Sequence, residues 1–145
     1  MPSQRGKRSA SDLATRLDIE VIPLKLVDPR FYHLDVALAV LDADTDQIAY
    51  YPPAFSPASQ ALLADRFPDA IVADDADAYA FGLNAVGDGL HVFLPAGAVH
   101  LHGALEAAGY DVVAIDTSEL QLGGGSVKCC TQEIRATPTP EGDPR

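Results

Sequence analysis

The chain has 145 residues, of which 48% are hydrophobic and 21% are charged, so it is long enough for one domain with its own core. Its formal net charge of −11 argues against nucleic acid as a partner, because phosphate binding needs an excess of lysine and arginine. The sequence contains no apolar run long enough to predict a membrane span. Its two cysteines are adjacent, which predicts neither a disulfide framework nor a structural zinc site and fits a cytoplasmic location.

The first part of the chain predicts a helix followed by an extended segment. Residues 1–8 are basic and are predicted to be mobile, and no apolar stretch follows them that would make a secretory signal. Residues 9–18 are predicted to be helical, with two leucines four positions apart. Residues 20–26 then predict a strand, in which Pro23 indicates an edge or an irregularity. A turn at residues 28–30 leads into the next apolar run.

The middle of the chain contains an internal repeat with a period of 42 residues. Each copy predicts a hairpin, a helix and a strand, in the order ββαβ. The first copy has strands at 37–41 and 47–51, a helix at 57–66 and a strand at 70–73, and the second has strands at 83–86 and 90–94, a helix at 98–108 and a strand at 111–115. Identical residues recur at this spacing: Pro53 and Pro95, Ala54 and Ala96, Leu63 and Leu105, Asp69 and Asp111, Asp74 and Asp116. The sequence therefore predicts an α/β fold built of repeated modules.

After the repeat, a helical turn is predicted at residues 117–120, and three consecutive glycines precede the two cysteines. Glycine permits positive φ and close approach of other groups, and exposed backbone N–H groups favour the reactive thiolate. Cys129 and Cys130 are expected to open a short strand, on which their side chains would point to opposite faces. On these residues alone a nucleophile and a packed small thiol are both open. The tail, residues 136–145, is rich in proline and threonine and is predicted to be disordered.

Four further polar residues are candidates for chemistry. His33 and Asp35 are two apart where a turn enters a strand, so they would share one face and could assist a cysteine nucleophile. The alternative is a histidine that is hydrogen-bonded to its neighbour. Asn84 lies in an otherwise apolar strand and must either meet a turn or satisfy buried backbone groups. Arg8, just before the first helix, can bind a carboxylate in a bidentate manner.

No metal site is predicted. His100 and His102 are two apart in a predicted helix and therefore lie on different faces. Asp74, Asp75 and Asp77 follow a predicted strand, where a solvated loop is expected and a cation contact is the alternative.

Together these segments resemble the guanidino-group-modifying enzymes, which include arginine deiminases, dimethylarginine dimethylaminohydrolases, agmatine deiminases and amidinotransferases. The resemblance covers residues 6–135 and is carried by Gly6-Lys7-Arg8-Ser9, Phe31-Tyr32-His33-Leu34-Asp35, Phe81-Gly82-Leu83-Asn84-Ala85-Val86 and the glycine–cysteine segment 123–131. It is strongest to the bacterial branch labelled dimethylargininase or amidinotransferase. The family fold is the pentein, a five-bladed α/β propeller of ββαβ modules around a substrate channel. The resemblance thus implies a partial pentein, with residues 9–135 as the C-terminal part of such a domain.

The resemblance also implies the chemistry. Cys129 would attack the guanidinium carbon of an arginine-like substrate to form a thiouronium intermediate, and His33 would act as general acid and base. Asp35 would bind the guanidinium group, Arg8 the substrate carboxylate, and Asn84 would line the pocket. No cofactor or metal is implied.

The chain departs from the family pattern in two respects. It is about half the length of family members, and it lacks the acidic guanidinium-binding motif of their N-terminal half, so the missing half or a second copy of the chain is an expected partner. Its His-x-Asp form is similar to deiminases and amidinotransferases, whereas the better-known dimethylargininases have a lysine there. An amidinotransferase, a non-catalytic subunit or binding module, and a thiol redox sensor therefore stand as alternatives to the hydrolase.

Overall fold

The computed structural model describes residues 12–134, and the statements below concern those residues. The predicted mobile segment 1–8, including Arg8, and the predicted disordered tail 136–145 lie outside this range. Residues 12–17 are helical, and Leu13 and Leu17 are 50% and 59% exposed on this helix, α1. No helix of the described residues is long and apolar enough to cross a bilayer.

The first module follows the predicted ββαβ order and ends in an additional short helix. Its elements are β1 (Leu38–Asp42), β2 (Gln47–Tyr50), α2 (Pro57–Arg66), β3 (Ile71–Val72) and α3 (Asp75–Tyr79). Strand β2 lies in the middle of the sheet, antiparallel to β1 and parallel to β3. Helix α2 begins where Ser56 accepts the backbone N–H of Ser59 and Pro57 occupies the first turn, both of which are typical N-terminal features.

The second module repeats this plan. Its elements are β4 (Val86–Gly87), β5 (His91–Pro95), α4 (Val99–Ala107), β6 (Asp111–Ile115) and α5 (Ser118–Leu122). Strand β5 pairs antiparallel with β4 and parallel with β6, so the sheet has the same order as the first one. The predicted repeat and the mixed α/β class are therefore confirmed.

One apolar core joins the two modules. Its fully buried large side chains come from both: Leu41, Phe55 and Leu63 from the first, and Leu83, Leu94, Leu101 and Leu105 from the second. The hairpins meet where the Gly89 N–H donates to the Leu41 carbonyl over 3.0 Å. A Cβ on Gly87 would lie 2.5 Å from that carbonyl oxygen, so a residue without a side chain is needed at this contact.

Three local predictions about the two modules and the segment before them were wrong. Residues 20–26 form no regular strand and make a single bridge, Leu26 to Phe55. Phe55 directly follows a 3-10 helix (Pro52–Ala54), so its segment cannot continue a ladder in that direction. Residues 83–84 lie in a turn, and the strand begins only at Val86. The acidic segment after β3 is not a loop, because Asp74 caps helix α3 by accepting the Asp77 N–H.

Candidate active site

The two cysteines lie at the end of a tightly folded loop, residues 123–130, referred to below as the nucleophile loop. Gly124 has a φ of 86° and its carbonyl accepts a hydrogen bond from the Tyr32 hydroxyl. A Cβ on Gly125 would lie 2.7 Å from the Cβ of Cys129 and 2.9 Å from its sulfur. The glycines therefore let the loop fold back on Cys129, which any larger residue at position 125 would displace.

The cysteines occupy a 3-10 helix (Lys128–Cys130), so the predicted strand at this position is wrong. The reason is a competing set of side-chain bonds from Asn84. Its Oδ1 accepts the backbone N–H groups of Ser126 over 2.8 Å and of Cys129 over 3.2 Å. Such bonds take backbone donors that a strand would need for its ladder.

The sulfur atoms of the two cysteines have different surroundings, and both thiols are free. The Cys129 sulfur lies 3.2 Å from Nδ2 of Asn84, whereas the Cys130 sulfur lies 3.2 Å from the Val127 carbonyl oxygen. Cys129 is therefore the thiol that faces the other candidate site residues.

Asp35 lies beside that thiol. Its Oδ2 is 3.9 Å from the Cys129 sulfur, and its backbone carbonyl accepts the Nδ2 group of Asn84 over 3.1 Å. The other carboxyl oxygen, Oδ1, is buried and has no hydrogen-bond partner among the described residues. Burial of an unpaired carboxylate oxygen is costly, so a ligand with N–H donors would fit this position.

Buried polar side chains that do not contact the thiol anchor the nucleophile loop to the second module. The hydroxyls of Thr117 and Ser126 are both buried and lie 2.8 Å apart. Thr117 also accepts the side-chain amide of Gln121 over 3.1 Å, which connects the loop to α5. Neither hydroxyl was identified from the sequence, although a serine directly after three glycines is a signal for such an anchor.

His33 and Asn84 take up positions that spacing alone does not reveal. The His33 side chain is exposed, stacks edge-on against Tyr32 at 4.9 Å between ring centroids, and makes no hydrogen bond within residues 12–134. Asn84, which the resemblance places on the pocket wall, instead has no exposed surface. The structure thus brings Cys129, Asp35 and Asn84 into contact, while His33 lies two residues before Asp35 without touching the thiol.

A solvent-open cavity of about 850 Å³ lies between the two hairpins. Its walls carry apolar side chains of both modules, among them Leu38, Val40, Ala85 and Val86. Asp35 and Lys128 also line it. Asp35 therefore contributes to the cavity wall as well as to the contact with Cys129.

Asp74, Asp77 and His100 form a second titratable cluster, whose candidate ligand atoms lie within 4.8 Å of one another. His100 Nδ1 is 2.6 Å from Asp74 Oδ2, and Asp77 accepts the His100 backbone N–H over 3.1 Å. Burial raises the pKa of Asp77, whereas the Asp77 N–H lowers the pKa of Asp74. Asp74 caps the N-terminus of α3 and Asp77 accepts a first-turn N–H of α4, so the cluster serves the fold.

The known proteins that are similar to this chain include enzymes named for arginine or dimethylarginine. No family model matches the chain. It is 59% identical over 128 residues to N(G),N(G)-dimethylarginine dimethylaminohydrolase of Mycobacterium tuberculosis, covering 88% of this chain and 42% of that protein. The crystal structure of the N-terminal domain of ArgZ, a cyanobacterial arginine dihydrolase bound to product, superposes with a TM-score of 0.79 at 34% identity, covering 84% of this chain and 45% of that one.

A third comparison extends the likeness of fold. SxtG, an amidinotransferase from Microseira wollei, superposes with a TM-score of 0.71 at 20% identity, covering 89% of this chain and 39% of that one. The partial pentein fold that the resemblance implies, and with which the ββαβ repeat agrees, is thereby confirmed. In each case the chain spans less than half the length of the protein that it matches.

Proposed function

We propose, from the premise that this chain is a relative of the guanidino-group-modifying enzymes, that it carries the nucleophile side of a guanidine hydrolase site. The reaction would be of the dimethylargininase or arginine deiminase type on an arginine-like substrate. One observation carries the proposal: the Asp35 carboxylate lies 3.9 Å from the Cys129 sulfur, and its Oδ1 is buried with no hydrogen-bond partner within residues 12–134. A planar cation with several N–H donors satisfies that oxygen and presents its central carbon to the thiol.

The proposed reaction has two steps. The Cys129 thiolate attacks the guanidinium carbon, a C–S bond forms, and a C–N bond breaks as His33 gives a proton to the departing amine. Water then attacks the thiouronium carbon and gives one proton to His33 as the C–O bond forms. The C–S bond breaks, the hydroxyl proton passes to the sulfur, and the Cys129 thiol and a urea-type product are left. With an amine in place of water, the same intermediate would lead to transfer.

The same proposal includes a role for Arg8 and a protein partner that completes the site. Arg8 would bind the substrate carboxylate as a bidentate donor. The remaining part of a pentein, or a second copy of this chain, would cover the cavity between the hairpins, where Val40 and Leu34 are about half exposed. Native mass spectrometry tests the partner: a heterodimer or homodimer supports it, and a monomer under all mixing conditions contradicts it.

The activity is tested by turnover. The chain would be assayed alone and mixed with the rest of the Mycobacterium tuberculosis relative, with L-arginine and dimethylarginine as substrates. Citrulline and the released ammonia or amine are expected in equal amounts, with a loss of at least about a hundredfold in Cys129→Ala and in His33→Ala.

The matched control is Cys130→Ser, which alters the neighbouring thiol and is expected to retain turnover. Absence of turnover in the reconstituted protein, or unchanged turnover in Cys129→Ala, would overturn the proposal. A cytoplasmic location, which two free thiols fit, is proposed with it and is checked by cell fractionation.

A further inference from the structure

The amide of Asn84 is fully committed to protein partners. Its Oδ1 accepts two backbone N–H groups, from Ser126 and Cys129. Its Nδ2 donates to the Asp35 carbonyl over 3.1 Å and points at the Cys129 sulfur over 3.2 Å. Because the side chain has no exposed surface, none of these bonds competes with water.

The orientation of this amide follows from its partners. Backbone N–H groups only donate, so the oxygen must face Ser126 and Cys129. The NH₂ group must then face the Asp35 carbonyl, which only accepts, and the sulfur. Toward the sulfur Asn84 can act only as a donor, and a donated hydrogen bond favours a negatively charged acceptor over a neutral one.

The backbone of Asn84 adds a further link to the same loop, because its carbonyl accepts the Lys128 N–H over 3.0 Å. Three donors from residues 126, 128 and 129 thus converge on one residue. A residue that only anchored the loop would need no more than these hydrogen bonds from backbone N–H groups. The NH₂ group on the sulfur is the additional feature, and it lies on the side of the thiol that faces Asp35.

We propose that Asn84 is a positioning residue for the nucleophile: it fixes the nucleophile loop so that the Cys129 sulfur faces Asp35, and it donates a hydrogen bond that stabilises the sulfur as an anion. The proposal deepens the function above and rests on it for the identity of the nucleophile. Asn84 touches no substrate and acts only through Cys129.

The test measures alkylation of Cys129 by two matched reagents, neutral 2-chloroacetamide and cationic 2-chloroacetamidine, in a Cys130→Ser background followed by intact mass. Asn84→Ala is expected to slow both reagents by about tenfold, the usual effect of losing a hydrogen bond to a charged group. Asp35→Asn is expected to slow only the cationic reagent. The matched control is Gln60→Ala, which removes an amide-to-carbonyl bond of 2.8 Å far from the site and should leave both rates unchanged.

The two reagents separate the two proposals. If Asn84→Ala slows both reagents while Asp35→Asn changes neither, the positioning role stands and the guanidinium-binding role of Asp35 fails. Alkylation of Asn84→Ala at the rate of the unsubstituted protein would overturn the positioning role.

A second measurement needs no substitution at Asn84 and so does not depend on whether that variant folds. In the ¹⁵N-labelled chain, one Nδ2 proton of Asn84 should shift when chloroacetamide converts the sulfur into a thioether, which is a poorer acceptor. The proton on the Asp35 carbonyl should stay in place. If neither proton moves, the sulfur is not an acceptor for Asn84 and the proposal is overturned.

Discussion

The two modules use equivalent positions for different purposes. Asp77 and Glu119 are 42 residues apart, each in the short helix that follows the last strand of its module. Asp77 is 2% exposed and accepts the first-turn N–H of His100, whereas Glu119 is exposed. The first module therefore uses its terminal helix to hold the next module.

The second module uses its terminal helix to hold the nucleophile loop. Thr117 is buried and bonds to Ser126, while the equivalent Asp75 is exposed and accepts the Tyr51 hydroxyl over 2.7 Å. The repeat thus supplies a common scaffold, and the few polar residues after each third strand decide what is attached to it.

The largest expected effect is on the free energy of unfolding, and it tests whether the two modules contribute equivalent helices to the core. Leu63 and Leu105 occupy the same position of helices α2 and α4 and are each 1% exposed. Leu63→Ala and Leu105→Ala should each lower the free energy of unfolding by about 2–5 kcal/mol, because each leaves a cavity in the shared core. Urea denaturation measures both, and a negligible cost for one of them would break the equivalence.

A smaller effect should separate the two acidic positions. Asp77→Ala should cost about 1–3 kcal/mol of stability, because it leaves N–H groups at the start of α4 without their acceptor. Glu119→Ala should stay within about 0.5 kcal/mol, as for most exposed substitutions. Asp77→Asn, which keeps an oxygen acceptor, should cost less than Asp77→Ala. Equal urea midpoints for the Asp77→Ala and Glu119→Ala variants would contradict the assigned difference.

The smallest effect concerns what the modules share. The Asp77 N–H lowers the pKa of Asp74, and the Ser118 N–H lowers the pKa of its counterpart Asp116. A folded-state pKa below the unfolded value of 3.8 means that the stabilisation is present above pH 4 and is lost as the pH falls through the folded pKa. Melting temperatures between pH 6 and pH 2 should therefore depend less on pH in Asp74→Asn and Asp116→Asn than in the unsubstituted chain. If neither substitution changes the pH dependence of the melting temperature, other groups cause the acid sensitivity and the prediction is wrong.

The regular elements could be predicted because their signals lie in neighbouring residues and in the repeat of the sequence. Proline at the first turn of α2, apolar spacing and the 42-residue period place α2 within its observed bounds and α4 within a residue. Helix α3 was missed although its cap, Asp74, and two acids in its first turn form a typical N-terminal signal.

The candidate site was only partly predictable, because its geometry depends on contacts between distant segments. The resemblance identified Cys129, Asp35 and Asn84, and the structure brings these three together across more than 40 positions of the chain. The 3-10 turn at the cysteines could not be read from residues 126–130, since a side chain from residue 84 determines it. His33 and Arg8 stay predictions.

The hydrogen bond between Tyr32 and Gly124 gives the nucleophile loop an optical reporter. The chain has five tyrosines and no tryptophan, so its near-ultraviolet emission comes from tyrosine alone. Tyr32 is 52% exposed, with its hydroxyl on the loop and its ring against His33. A difference spectrum between the chain and its Tyr32→Phe variant would isolate this one ring, so that events at the loop can be followed without an added label.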